Sequence, residues 1–134
     1  MTQVTWKDEP EEHDFPAARD YLLLLAAAAA VDDLAQRLRD APTAHWKAKD
    51  ILRAAGLPLL PVDNPHVAAD LRKIHDGKAL SPVLLMRGDL VAGRALQVAD
   101  GYHRVCASYH TDENTDIPCR LAEATGETTS RRAP

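Results

Sequence analysis

One short stretch limits the folds open to this chain more than any other: Ala99-Asp100-Gly101-Tyr102-His103-Arg104. Apolar Ala95, Leu96 and Val98 lead into it and read as a strand, whereas Val105, Cys106, Ala107 and Tyr109 follow as a helix. A strand that gives way to a helix within two residues needs a sharp turn of the backbone. Gly101 supplies the conformational freedom for that turn, and Asp100 carries a side chain of the type that caps helix starts. A junction of this kind belongs to a sheet with helices packed on it.

The first turn of that helix is electrostatically unusual. His103 and Arg104 place cationic groups at the positive end of the helix dipole, where each exposed charge typically costs about 0.3–1 kcal/mol. An anion held by the free N–H groups of the turn and by Arg104 reverses the sign of that interaction. The stretch therefore reads as a candidate phosphate site, with Gly101, His103 and Arg104 as its residues. The plain alternative is a capped helix whose cations pair with Asp100, Asp112 or Glu113.

The rest of the chain supplies the helices and strands around it. Asp14-Phe15-Pro16 precedes a helical pattern running to about Asp40, with Leu22, Leu25, Ala29, Val31, Leu34 and Leu38 at helical spacing. One long helix or two short ones packed together both fit. Ala41-Pro42-Thr43 breaks the pattern, and Thr43 is placed to cap a further helix from Trp46 that stops at Gly56. Residues 57–62 are an extended, proline-pinned segment. Asp63-Asn64-Pro65 starts a helix with Val67, Leu71 and Ile74 on one face and Gly77 as its stop. Val83-Leu84-Leu85-Met86 reads as a strand covered on both faces. Arg87-Gly88-Asp89 and Gly93 mark a hairpin connection to the strand before Gly101, and Ile117-Pro118-Cys119-Arg120-Leu121 reads as a last strand, placed at an edge by Pro118.

This order gives an α+β (mixed α/β) domain. Residues 1–13 are expected as a flexible tail that Trp6 anchors, and residues 14–56 as a helical region. Residues 57–122 form a mixed part packing with it in one compact domain, and residues 123–134 a disordered tail. With 134 residues the chain is long enough to bury a core without staples, and Cys106 and Cys119 give no disulfide framework. The apolar run at residues 21–31 is about half the ~20 residues a bilayer crossing needs, so no membrane span is expected. The start is acidic and carries no signal peptide pattern, which points to the cytoplasm. The net charge of −4 argues against a nucleic-acid partner.

From about Leu59 to Leu121 the order of pieces resembles the ParB/sulfiredoxin superfamily. The features that carry the resemblance are a helix ending Asp76-Gly77-Lys78, the run Leu80-Ser81-Pro82-Val83-Leu84-Leu85, the hairpin, Val98-Ala99-Asp100-Gly101-Tyr102-His103-Arg104, and the closing strand. The Asp-Gly-x-His-Arg core is most similar to the ParB-like free serine kinases, while sulfiredoxins carry Gly-Cys-His-Arg there and ParB proper Gly-Glu-Arg-Arg. The resemblance implies nucleotide phosphates gripped by Gly101, His103 and Arg104, with Lys78 and Ser81 beside the nucleotide. It also implies ATP or CTP as ligand, magnesium near Asp100 as the catalytic acidic group, and phosphoryl transfer or NTP hydrolysis as the reaction class where the protein is catalytic. Tyr102 stands in place of the reactive cysteine of sulfiredoxin, which argues against repair of oxidised peroxiredoxin. The chain stops before the metal-binding Glu-Asn segment and helix-turn-helix of partitioning ParB, which argues against a sliding DNA clamp.

Two further readings stand beside this one. The apolar helical half can serve a non-catalytic module that forms a homodimer or docks a partner. His103, Cys106 and His110 share a helix face, with Cys119 as a fourth zinc-ligand type, yet Cys106 also falls on the apolar face and no Cys-x-x-Cys accompanies it.

Overall fold

The structure is a computed structural model that describes residues 3–124. In chain order these residues form α1 (Asp14–Leu22), α2 (Ala28–Asp40), β1 (Thr43–Lys47), α3 (Ala48–Ala55), α4 (Pro65–His75), β2 (Val83–Met86), β3 (Gln97–Asp100), α5 (Tyr102–Thr111) and β4 (Asp116–Ala122). The strands make one mixed sheet in the order β1-β4-β2-β3. β4 runs antiparallel to β1 and parallel to β2, and β2 pairs antiparallel with β3 through the expected hairpin. The fold is therefore mixed α+β.

Helices cover both faces of this sheet. Leu84 and Met86 join Phe15, Leu22, Val31 and Leu38 in a core with α1 and α2. Their neighbours Val83 and Leu85 point the other way, into a core with Ile51, Val67, Ile74 and Val105 from α3, α4 and α5. Alternate side chains thus serve alternate cores, which is why all four residues of β2 are buried and apolar.

Several local signals act as read. Asn64 caps α4, its side chain accepting hydrogen bonds from the His66 and Val67 backbone N–H groups at 3.0 and 3.2 Å, with Pro65 in the first turn. Gly56 closes α3 in the left-handed conformation. The first helical pattern is two helices, interrupted at residues 23–27.

Other expectations are corrected. Thr43 does not cap a helix: residues 43–47, expected within the helical region, form edge strand β1 paired with β4 from Thr43↔Arg120 to Lys47↔Asp116. A five-residue segment with four exposed positions carries little periodicity of its own, so its structure comes from its partner strand. Pro118 does not mark an edge, because β4 lies between β1 and β2. The β2 ladder begins at Cys119, one residue after Pro118, so the missing N–H interrupts none of its rungs.

Residues before α1 are tied to the body. Trp6 bridges to Leu80, with Lys7 N–H donating to Leu80 O and Leu80 N–H to Thr5 O, each at 2.8 Å. The tail expected at residues 123–134 lies, apart from Glu123 and Ala124, outside the described residues. Among the described residues no helix is long and apolar enough to cross a membrane.

Candidate functional site

The β3-to-α5 junction is built around Gly101, whose φ of +110° is open to glycine and strained for other residues. Space requires glycine as well. A Cβ at this position would stand 2.9 Å from Arg104 Nη2 and 2.9 Å from Val83 Cγ2. The junction therefore brings the guanidinium of Arg104 back over its own turn and against the start of β2. There Arg104 Nη2 donates to Pro82 O at 3.2 Å and to Asp100 Oδ2 at 3.1 Å, while its Nε is buried with no partner among the described residues.

Asp100 is not a helix cap. Gly101 occupies the cap position without a side-chain cap bond, and the Asp100 carboxylate is taken up by Arg104 instead. Burial pushes the Asp100 carboxyl above the usual aspartate range, and the Arg104 cation works against that shift. A second carboxyl is a smaller cause of the same upward shift. Asp14, at the start of α1 and only 2 % exposed, accepts from Ser81 Oγ and from the Glu11 backbone N–H at 3.1 Å. The Glu11 N–H also donates to Ser81 Oγ at 3.1 Å.

Above the turn opens a pocket of about 230 Å³ lined by His66, Asp70, Lys73, Asp100, His103 and Arg104 among others. Lys73 and Arg104 bring two cations to it, and Asp70 and Asp100 two carboxyls. Lys73 makes no salt bridge among the described residues. The Asp70 carboxyl is likewise held above its ordinary range by burial, offset by Lys73, Arg104 and the two histidines. His103 stacks on Tyr102, ring centroids 5.7 Å apart, and meets His66 at a tilt with centroids 4.7 Å apart. Burial, then the His66 ring, lowers the His103 pKa and favours its neutral form. Tyr102 turns aside, its hydroxyl donating to Pro58 O at 2.6 Å.

Asp100, Gly101, His103 and Arg104 all line this pocket. Ser81 lies on the far side of Arg104 in an adjoining polar pocket of about 130 Å³, where its hydroxyl serves Asp14. Lys78 lines neither pocket; it is exposed just past α4, and its N–H closes that helix on Lys73 O at 2.9 Å. The sequence reading missed His66, Asp70, Lys73 and Asp14. The first three stand at i, i+4 and i+7 on α4, a polar stripe beside the apolar face of Val67 and Ile74, and that spacing was a usable signal. Asp14 gave no comparable signal, since an aspartate before a proline looks like an ordinary helix start.

The residues present do not fit a dedicated magnesium site at Asp100. One oxygen of its carboxylate is engaged by a guanidinium, and the Asp14 carboxyl is committed to Ser81 and Glu11. The zinc-type set is dispersed: Cys106 and Cys119 lie in the core, and His110 Nε2 is 2.7 Å from Leu60 O. Burial raises the Cys119 thiol to about 12, which keeps it protonated and unreactive.

Fold and site together define a class: a helix–sheet–helix α+β domain with a mixed-charge pocket over a glycine-led β-to-α junction. Comparison of the chain with family models, with curated proteins and with solved structures finds no match.

Proposed function

We propose that this protein binds a phosphate-bearing small ligand, a nucleotide in the first instance, in the pocket over the Gly101 turn. The observation that carries the reading is the convergence of Lys73 from α4 and Arg104 and His103 from α5 on the N-terminal end of a ten-residue helix. Dipole, guanidinium and ammonium all favour an anion there. The reading agrees with the resemblance of Asp100-Gly101-Tyr102-His103-Arg104 to the phosphate-gripping element of the ParB/sulfiredoxin superfamily. At about 230 Å³ the pocket is smaller than the ~300–1,000 Å³ of typical ligand sites, so it takes the phosphate end while the rest of the ligand extends over the surface.

Isothermal titration with ATP, CTP and inorganic pyrophosphate, in EDTA and then with magnesium, tests this. The expected result is binding that survives EDTA and weakens at least tenfold in Arg104→Ala and Lys73→Ala. Absence of binding at millimolar ligand, or affinities unchanged in both variants, overturns it.

A second reading, self-association through the apolar end of the molecule, draws on a separate observation. Leu24 and Leu25 between α1 and α2, and Leu90 and Val91 at the hairpin tip, are 57–99 % exposed. Sedimentation of the wild type against Leu24→Ser decides it: a dimer lost in the variant supports the reading, and a monomer throughout removes it.

A further inference from the structure

We infer that the cavity between α3 and the β2–β3 hairpin binds an uncharged, ring-bearing small molecule, at the end of β2 away from the phosphate pocket. The two cavities share no lining residue, and the inference does not rest on the phosphate reading.

The sheet itself leaves this space. Leu85 of β2 and Leu121 of β4 stand in register on the face that α3, α4 and α5 cover, and Trp46 of β1, paired with Ile117, extends that face. Over this end the cover is α3, whose eight residues span about 12 Å. It does not close the layer: Leu96 and Leu121 are half-buried and Trp46 is 36 % exposed. Leu96 N–H donates to Ala54 O at 3.1 Å and pins the hairpin to α3 beside a cavity of about 390 Å³. That volume falls within the ~300–1,000 Å³ of small-molecule sites, and its apolar surface comes from Trp46, Ile51, Ala54, Leu85, Leu96 and Leu121.

The hairpin wall is already in place. Asp89 and Arg94 exchange both backbone hydrogen bonds, at 2.8 and 2.9 Å. Gly88 lies so close to the returning arm that a Cβ there would stand 2.5 Å from Arg94 O. Leu90 lines the cavity from the hairpin tip yet is 97 % exposed, an apolar side chain that a bound molecule would cover.

Charge sets the class of ligand. Asp50, Arg87, Asp89 and Arg94 line the cavity, and each is paired: Asp50 with Arg53 at 3.3 Å, Asp89 with Arg94 at 3.2 Å, and Arg87 with Glu123 at 2.7 Å. All these side chains are at least 42 % exposed, so they form the rim, and their charges cancel. An apolar interior framed by neutralised charge suits an uncharged molecule, and the Trp46 ring favours a flat one that stacks on it. The same rim disfavours other occupants. A second copy docking here would have to cover three exposed ion pairs, whereas a small molecule enters between them and leaves them in water. Residues 125–134 hold no large apolar side chain to fill the cavity.

The probe is phenylnaphthylamine, an uncharged aromatic molecule that brightens in apolar sites, with anilinonaphthalene sulfonate, the same skeleton bearing a charge, as control. The full chain should bind phenylnaphthylamine one-to-one and the sulfonate more weakly. The Trp46 indole N–H resonance should shift on binding by more than that of Trp6. Ala54→Phe places a ring in the cavity from an exposed position on α3 and should weaken binding about tenfold or more. Leu90→Ser removes one apolar wall at an exposed site and should weaken it about three- to tenfold, and it decides alone if Ala54→Phe melts well below wild type.

No saturable binding, a Trp46 resonance that moves no more than that of Trp6, tighter binding of the sulfonate, or affinity unchanged in folded Ala54→Phe or in Leu90→Ser each overturns the inference. Displacement by pyrophosphate would put the probe in the phosphate pocket and overturns it as well. So does sedimentation that shows a dimer which phenylnaphthylamine dissociates, since the cavity would then be filled by a second copy.

Discussion

The two ends of the sheet are made of the same parts and expose opposite chemistries. Where β3 runs into α5, polar side chains near the turn are tied to one another and to backbone: Arg104 to Pro82 and Asp100, Asp14 to Ser81 and Glu11, Tyr102 to Pro58. At the other end Tyr21 ties α1 to Gln97 at the start of β3, and beyond it Leu24, Leu25, Leu90 and Val91 stand in solvent with little around them. The first end concentrates a positive-φ glycine, cations at a helix start, an orphaned guanidinium nitrogen and carboxyls shifted by burial. Such features cost stability and persist where a ligand or reaction makes use of them. The second end exposes apolar surface, and its own positive-φ glycine, Gly93, has open space where a Cβ would stand.

The largest expected effect belongs to the polar end. Gly101→Ala combines an L-residue at φ +110° with a Cβ 2.9 Å from both Val83 and Arg104. Strain of about 1–3 kcal/mol and overpacking of about 1–3 kcal/mol together should lower the stability read by chemical denaturation by about 2–6 kcal/mol. A loss under about 1 kcal/mol would show that the junction is not held as described.

Next comes Arg104→Ala, which removes a charge-assisted partner of the proposed phosphate ligand worth about 1.5–3 kcal/mol, an expected weakening of about ten- to a hundredfold in titration calorimetry. The comparison sharpens if Leu24→Ser, made at the far end, leaves the same affinity untouched.

Asp100→Asn should act on pH dependence. Burial raises the folded-state pKa of Asp100 above the ordinary 3.8, so its favourable uncharged form contributes fully below that value and is lost as pH rises through the folded value. The asparagine variant, uncharged throughout, should therefore melt above wild type near about pH 7 and lose that advantage at about pH 3. A lower melting temperature near neutral pH would mean that the Arg104 ion pair outweighs burial.

The smallest effect is expected at the apolar end. Val91→Ser, at a site 99 % exposed, should change monomer stability by no more than about 0.5 kcal/mol. A larger change, growing with protein concentration, would show that the end is covered by a second copy.

Much of the fold was open to reading in residues that act locally. Asn64-Pro65 starts α4, Gly56 stops α3, and the four apolar residues of β2 announce a strand with helices on both sides. The Asp100-to-Arg104 turn and its glycine were likewise visible, since they fall within one turn of helix. β1 was not, because Thr43–Lys47 becomes a strand only by lying against β4. Pro118 pointed the wrong way for a related reason: its cost depends on which rung of which ladder it meets. His66, Asp70 and Lys73 were readable as a stripe on α4, but not as the wall of a pocket whose floor is α5.

Taken alone, the sequence determined a helix-rich α+β chain, its strand-to-helix turn and the cations placed there, because caps, periods and glycine requirements act over roughly four residues. The tertiary structure alone decided that Arg104 would be shared between Pro82 and Asp100, that α4 would face the turn, and that Asp14 would be buried against Ser81. These depend on segments far apart in the chain meeting as the sheet closes between its two helical layers. Such meetings are chosen by which apolar faces can be buried together, and no local pattern encodes them.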